Sequence, residues 1–394
     1  MSSSPTPNLR NFFRNFDSGI INGLPAFLYS HQTDANGDLL FLRHYVNNDE
    51  YRDIPIHPSE PGTHILTASL VKDEANAVLA ITWYYSGGAN HHEAFFAHVI
   101  AQATGIRVSA PVSLDFPHIT SPLLINLVPS GEHFYFACID ARTDGPWKYC
   151  LASLDTQTLE PTSRMTELDA EVCKSYRDEN LRQFARNLTL VADANGGAFL
   201  QFVNSHHNIA VYHVGPPQSG VVSHRHLFNL SAEQIGYHTA VFDPDYSTLV
   251  TCFGTITPVT KEQRVYGIAS RIFGDTPSKK NLLPPHSVAP LQFRELSLSP
   301  GSYYRAQISR IQNSAQEQSR YLVSWEGDAS IHFSEFSADL DPTSSEHSLE
   351  ATLPGNHRAI ATDSVYGIAY QDDCSEPRHV GLRYHSQSIN RQDS

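Results

Sequence analysis

Positive charge is scarce in this chain of 394 residues. Lys and Arg number 27 against 41 Asp and Glu, a formal net charge of −14. The only basic run is the pair Lys279-Lys280. A binder of phosphate backbones needs clustered cations, so nucleic acid is not an expected partner. Long apolar runs are lacking as well. The longest, Ala77 to Tyr85, is less than half of the roughly 20 residues that a membrane-spanning helix needs. The opening stretch MSSSPTPNLRNFFRNFD has no apolar core of signal-peptide length. No membrane partner is expected, and the expected location is cytoplasmic. The sequons at Asn187 and Asn229 then carry no weight, because glycosylation accompanies secretion.

Cysteine is sparse and unorganised. The five residues Cys138, Cys150, Cys173, Cys252 and Cys374 form no C-x-x-C, which reads as reduced thiols rather than a disulfide framework. Cys138, Cys150 and Cys252 sit in strand-like runs and read as small core residues. There is no P-loop, no G-x-G-x-x-G and no G-x-S-x-G elbow. His91-His92-Glu93 and His224-Arg225-His226 match no recognised ligand spacing. Asp243-Pro244-Asp245 and the Asp34–Asp38 turn lack the closing Glu of a calcium loop. Neither metal nor cofactor is expected. A Ser-His-Asp triad cannot be drawn from so many candidate serines and histidines.

What the sequence does hold is a recurring pattern of Gly-x-His/Tyr followed by an alternating run. It occurs at Gly62-Thr63-His64, Gly236-Tyr237-His238, Gly301-Ser302-Tyr303 and Gly355-Asn356-His357. Repetition at a spacing of roughly 50 to 65 residues marks a solenoid, array or propeller. Between these marks lie short β-rich runs in sets of four, among them His64-ILTASLV, Ala77-VLAITWYY, Glu93-AFFAHVIA and Ile106-RVSAPVSL. With charged residues at only 17% and hydrophobic residues at 40%, many strand positions must be buried on both faces.

The expected fold is therefore an all-β propeller of four-stranded antiparallel blades, in one domain spanning the chain. Innermost strands starting near residues 20, 64, 121, 187, 238, 303 and 357 give seven blades, or six if the terminal segments merge. Residues 1–17 read as an arm available to complete the last blade. One stretch breaks the rhythm: residues 166–186 place Leu168, Val172, Tyr176 and Phe184 at helical spacing, which predicts a short amphipathic helix inserted between blades.

In such a blade the start of the innermost strand and the loop between strands two and three lie on one face. That topology gathers His64, His238, Tyr303, Tyr304 and His357 around one mouth of the central channel as candidate catalytic groups. Asn187 and Ser121 take the matching places elsewhere. The second-to-third loops add His91, His92, His206, His207 and Trp147, and Arg305 and Arg358 follow ring residues where a guanidinium can orient an anionic or enolic oxygen. Histidine serves as acid, base or donor near neutrality. The same residues have a plainer use, since a polar group at the head of an inner strand caps a turn or bonds a neighbouring blade.

Strand pairs such as Val365-YGIAYQDD and Ala240-VFDPDYSTLVTCF resemble the fungal fucose-lectin propellers. That resemblance implies a sugar site in each blade, built from a recurrent Arg, Glu and aromatic platform. The three tryptophans, Trp83, Trp147 and Trp325, do not recur at matching blade positions. In overall organisation, with one His- and Tyr-rich mouth, the chain is similar to the fungal propeller hetero-Diels–Alderases of tropolone-sesquiterpenoid pathways. This second resemblance implies cofactor-free cycloaddition of a tropolone o-quinone methide to a macrocyclic terpene such as humulene, with small hydrophobic molecules as partners. A glycan-binding module, a protein-binding scaffold and a propeller hydrolase or lactonase remain the alternatives. A monomer is the default for a propeller of this size.

Overall fold

The computed structural model describes residues 13–21, 24–33, 37–46, 50–56, 63–72, 77–85, 92–102, 105–110, 112–113, 122–140, 148–163, 166–169, 188–193, 195–205, 208–217, 222–229, 234–257, 259–272, 290–297, 305–311, 319–351, 357–361, 365–371 and 382–388. They form strands in consecutive antiparallel meanders. The first meander is β1 (Phe13–Ile21), β2 (Leu24–Thr33), β3 (Gly37–Tyr45) and β4 (Tyr51–Ile56). The second is β5 (Thr63–Lys72), β6 (Ala77–Tyr85) and β7 (His92–Gln102), with β8 (Gly105–Val108) and β9 (Val112–Ser113) both along β7. Next come β10 (Pro122–Ser130), β11 (His133–Asp140), β12 (Lys148–Asp155) and β13 (Thr166–Asp169), followed by β14 (Leu188–Ala192), β15 (Ala198–Ser205), β16 (Asn208–Val214) and β17 (Val222–Asn229). Then follow β18 (Gln234–Asp243), β19 (Thr248–Ile256), β20 (Gln263–Arg271) and β21 (Pro290–Glu295). The chain ends with β22 (Ala306–Ile311), β23 (Arg320–Glu326), β24 (Ser330–Ser337) and β25 (His347–Glu350), and with β26 (His357–Ala361), β27 (Val365–Gln371) and β28 (Leu382–Ser388).

The first strand of each meander packs against the first strand of the next. β1 lies on β5, β5 on β10, β10 on β14, β14 on β18, β18 on β22, β22 on β26, and β26 returns to β1. Small antiparallel sheets closed into a ring in this way make a β-propeller.

Seven separate four-stranded blades were expected from the repeat, and the sheet count differs. Among the described residues five separate small sheets form, four of four strands and one of three. The first two meanders are joined through a single parallel pair, Gly37 with Thr63, into one nine-stranded sheet. Residues 13–17 belong to the innermost strand of that sheet, paired to β2, so this part of the expected arm does not run along β28; residues 1–12 lie outside the described residues. The expected helix over 166–186 is corrected where it is visible. Thr166–Asp169 pairs with Lys148–Leu151 as an outer strand, because the open edge of β12 carries backbone groups that need partners. Leu168 packs on the core there, and Lys148 Nζ meets Glu167 Oε2 at 2.5 Å. Residues 170–187 lie outside the described residues, and no helix occurs among those described.

A sheet packed between two neighbours is buried on both faces. β11, β12 and β19 accordingly run as near-continuous buried segments, which is what the low charge fraction implies. Apolar clusters fill the wedges between successive sheets. Tyr135, Leu151, Leu190 and Leu200 close one junction, and Val250, Val265, Trp325 and Tyr321 another. At the junction between the last sheet and the first, Phe27, Tyr29, Ile360 and Ala369 form the buried cluster among the described residues. Cys138, Cys150 and Cys252 are buried in the core. Burial pushes the Cys252 thiol up to about 12. The hydrogen bond with Cys150, and then burial, raises Cys138 well above the ordinary thiol value.

Polar latches join the innermost strands. Asp17 Oδ2 of β1 accepts from Leu70 N at 2.8 Å and Ser69 Oγ at 3.2 Å on β5. Asn126 Nδ2 donates to Leu188 O (3.1 Å), Thr189 Oγ1 to His238 O (3.2 Å), Thr239 Oγ1 to Ala306 O (3.4 Å) and Ser309 Oγ to Ala359 O (2.6 Å). Arg358 Nε then reaches Asp17 Oδ1 at 3.4 Å and closes the ring. Register shifts at Asn15/Asp17, Ile65/Thr67, Leu123/Asn126 and Ile235/His238 are β-bulges, which re-aim a side chain out of the regular pleat.

Asp17 serves two junctions at once. Replacing it with alanine is expected to lower the unfolding free energy by about 2–3 kcal/mol, the scale for losing hydrogen bonds to a charged acceptor. Urea unfolding followed by circular dichroism measures the change.

Candidate functional site

The residues expected at the channel mouth divide into three groups. Tyr303, Tyr304, Asn187, Trp147, His91, His206 and His207 lie outside the described residues. His64 and His92 are described as backbone: His64 pairs with Tyr84, and Tyr84 with His92. The register thus sets these three residues in one row across β5, β6 and β7. His238, His357, Arg305 and Arg358 are described in full.

His238 and His357 are both 1% exposed. The Gly-x-His pattern places a turn before His238, yet β18 begins at Gln234 and Gly236 lies inside it, beside the bulge. His238 is consequently inside the wall between β14 and β18. Its Nδ1 is 3.0 Å from Gln201 Nε2 and 3.2 Å from Thr189 Oγ1. Gln201 Oε1 accepts from Thr251 Oγ1 at 2.8 Å, which leaves the amide nitrogen as the donor to Nδ1. This buried network of His238, Gln201, Thr189 and Thr251 ties one sheet to the next. His357 O accepts from Arg358 Nη1 at 3.0 Å, and Arg358 turns its guanidinium to Asp17 across the closing junction.

Arg305, like Arg358, is part-exposed and paired with a carboxylate. It directly precedes β22, and Glu326 ends β23 opposite it, with Glu326 N donating to Arg305 O at 3.2 Å. Arg305 Nε is 3.4 Å from Glu326 Oε2, and the two side chains are 26% and 24% exposed. The guanidinium carbon lies 5.3 Å from the ring centroid of Tyr237, a buried residue of β18 in the neighbouring sheet. The cation–π contact and the ion pair hold Arg305 from below and from the side. Arg305, Glu326 and Tyr237 thus meet at the junction of two sheets, with a guanidinium donor and a carboxylate acceptor side by side. Such a pair suits vicinal hydroxyls or a polarised oxygen.

Glu326 and Tyr237 escaped the sequence reading. Glu326 faces Arg305 through a hairpin whose connection covers residues 312–318, and no spacing rule gives the register across a connection of that length. Tyr237 comes from another sheet altogether. Among the described residues no group of three His, Cys, Asp or Glu converges on a metal position, and no helix is long and apolar enough to cross a membrane.

No protein-family model and no curated protein sequence matches the chain. Among solved structures it is similar to the Dos1 propeller, at 10% identity and a TM-score of 0.46 over 91% of each chain. It is also similar to a mutant Trypanosoma rangeli sialidase with trans-sialidase activity, at 8% identity and a TM-score of 0.47 over 82% of this chain. The chain spans 53% of that sialidase. A structure of prolyl endopeptidases is similar at 12% identity and a TM-score of 0.46, over 95% of this chain and 50% of that one.

Replacing Gln201 with leucine takes the amide away from both Thr251 and His238 in a buried setting. A loss of about 1–3 kcal/mol is expected from such an uncompensated polar network, read as a lower urea midpoint at unchanged slope.

Proposed function

We propose that this propeller binds a small hydroxylated ligand in the notch formed by Arg305 and Glu326 over Tyr237. The observation that carries the reading is the pairing of an anchored guanidinium with a carboxylate at the solvent edge of a sheet junction. Donor and acceptor are both pre-positioned there, so little side-chain entropy is lost on binding. Sugar-like ligands present neighbouring hydroxyls that donate to the carboxylate and accept from the guanidinium at once. The Arg, Glu and aromatic set is also what the resemblance to the lectin propellers implies, here drawn from two adjoining sheets.

The cycloaddition reading uses the same notch. It is favoured by the way Tyr237 and Glu326 fix the Arg305 guanidinium, since a pre-organised donor stabilises a dienone oxygen as negative charge develops on it. In that reading a quinone methide and a macrocyclic terpene meet beside Arg305, and the enzyme acts by holding them in a near-attack pose without a cofactor. His238 and His357 contribute the walls of the ring.

A glycan array followed by calorimetry on the best hit separates the two readings from a turnover assay with tropolone and humulene. On the ligand-binding reading, Arg305→Ala and Glu326→Gln each weaken affinity by about tenfold or more, the scale of a lost charge-assisted hydrogen bond. Thermal melts that match the parent protein tie the loss to the notch. Binding that survives both substitutions unchanged overturns the proposal.

A further inference from the structure

Ser330, His332 and Glu346 form another constellation in the sheet of β22–β25. Ser330 opens β24 and His332 follows two residues later, so strand alternation turns both side chains to one face. Ser330 Oγ lies 2.8 Å from His332 Nε2, and His332 Nδ1 lies 2.8 Å from Glu346 Oε1. An ionised carboxylate only accepts, so Nδ1 carries the hydrogen and Nε2 is left to accept from the Ser330 hydroxyl. The other carboxylate oxygen, Glu346 Oε2, is buried and makes no hydrogen bond. The imidazole is therefore the partner towards which Glu346 is directed.

The surroundings hold this series in place. The His332 ring lies nearly parallel to the buried Trp325 indole, at 9° with centroids 6.2 Å apart. Gly327 completes the seat. A Cβ there would fall 2.7 Å from His332 Nε2 and 2.8 Å from Ser330 Oγ, so a side chain at 327 would wedge the pair apart. The segment that delivers Glu346 is pinned to β24, with Thr343 N donating to Glu335 O at 2.8 Å and Ser334 Oγ to Ser344 O at 3.1 Å. His332 and Glu346 are half-buried, while Ser330 stands beside the exposed turn residues Asp328 and Ala329. Hydroxyl, base and orienting acid in one hydrogen-bonded series are the parts that acyl transfer requires.

We propose that Ser330, His332 and Glu346 are a nucleophilic triad that accepts small acyl esters at the Gly327–Ser330 turn. Ser330 Oγ forms a bond to the acyl carbon while its proton passes to His332 Nε2. The ester C–O bond breaks, and Nε2 returns that proton to the leaving alkoxide, which departs as the alcohol. Water then attacks the acyl carbon and gives a proton to Nε2; the Ser330 Oγ–acyl bond breaks, the acid leaves, and Nε2 returns the proton to Ser330 Oγ. Ser330 and His332 are the catalytic residues, and Glu346 is a positioning residue acting through His332. This activity goes beyond the ligand-binding notch and does not depend on it.

The test is reaction of the purified full-length protein with a fluorophosphonate probe, read by intact mass and peptide mapping, beside hydrolysis of a short-chain p-nitrophenyl ester. An adduct on Ser330 is expected, absent in Ser330→Ala. Labelling in His332→Gln falls by at least about 100-fold, the scale of losing a general base. Glu346→Gln slows labelling and shifts its pH profile, and Glu346→Asp restores part of the rate. Circular-dichroism melts of each variant establish that it folds. No adduct on Ser330 in the parent protein overturns the proposal, as does unchanged labelling in a folded His332→Gln. An unchanged pH profile in Glu346→Gln overturns the role given to Glu346.

Discussion

Closure of the ring is the constraint on which the rest of this structure depends. Apolar packing between sheets is strong but non-directional, so it favours stacking without fixing how far one sheet turns on the next. The polar latches between innermost strands supply that direction. Each is short-range, each spans a junction, and several arise next to a bulge that swings a side chain out of the ladder. Asp17 shows the economy of the device, accepting from β5 on one side and from Arg358 of the last sheet on the other. The buried His238 network adds to the Thr189 latch at its junction, bringing an imidazole and the Gln201 amide to the same contact.

Much of the fold was legible in the sequence because strand alternation and turn composition are local signals. His64-ILTASLV, Ala77-VLAITWYY and Glu93-AFFAHVIA became strands close to where the pattern placed them. The reading failed where local periodicity competes with an edge that wants a partner. Leu168 has helical company in the sequence, but the open side of β12 takes Thr166–Asp169 as a strand. It failed again at Gly236, expected as a turn before His238, which lies inside β18 beside a bulge.

The candidate sites were less legible, for a related reason. Arg305 was identified from its place at the head of an inner strand, and it does sit at the solvent edge. Its partners come from across a hairpin and from a neighbouring sheet, and both relations are tertiary. Ser330 and His332 are only two residues apart, yet nothing in that spacing separates them from any other polar pair on a strand. The series becomes apparent once Glu346 is brought back along β24 and Gly327 is seen to leave room for it. The Arg305–Glu326 notch and the Ser330 series flank a single turn, so one short hairpin carries both kinds of chemistry.

The junction between the last sheet and the first governs how the chain reaches its native state. Arg358 and Asp17 are 341 residues apart in sequence, which makes their contact one of the most non-local in the molecule. Contacts of that kind carry a large loop-closure cost and form slowly. Until they form, the nascent protein is an open arc with two terminal sheet faces uncovered, the state in which apolar surface invites association with other chains. The small cluster of Phe27, Tyr29, Ile360 and Ala369 therefore acts as the final fastening of the assembly.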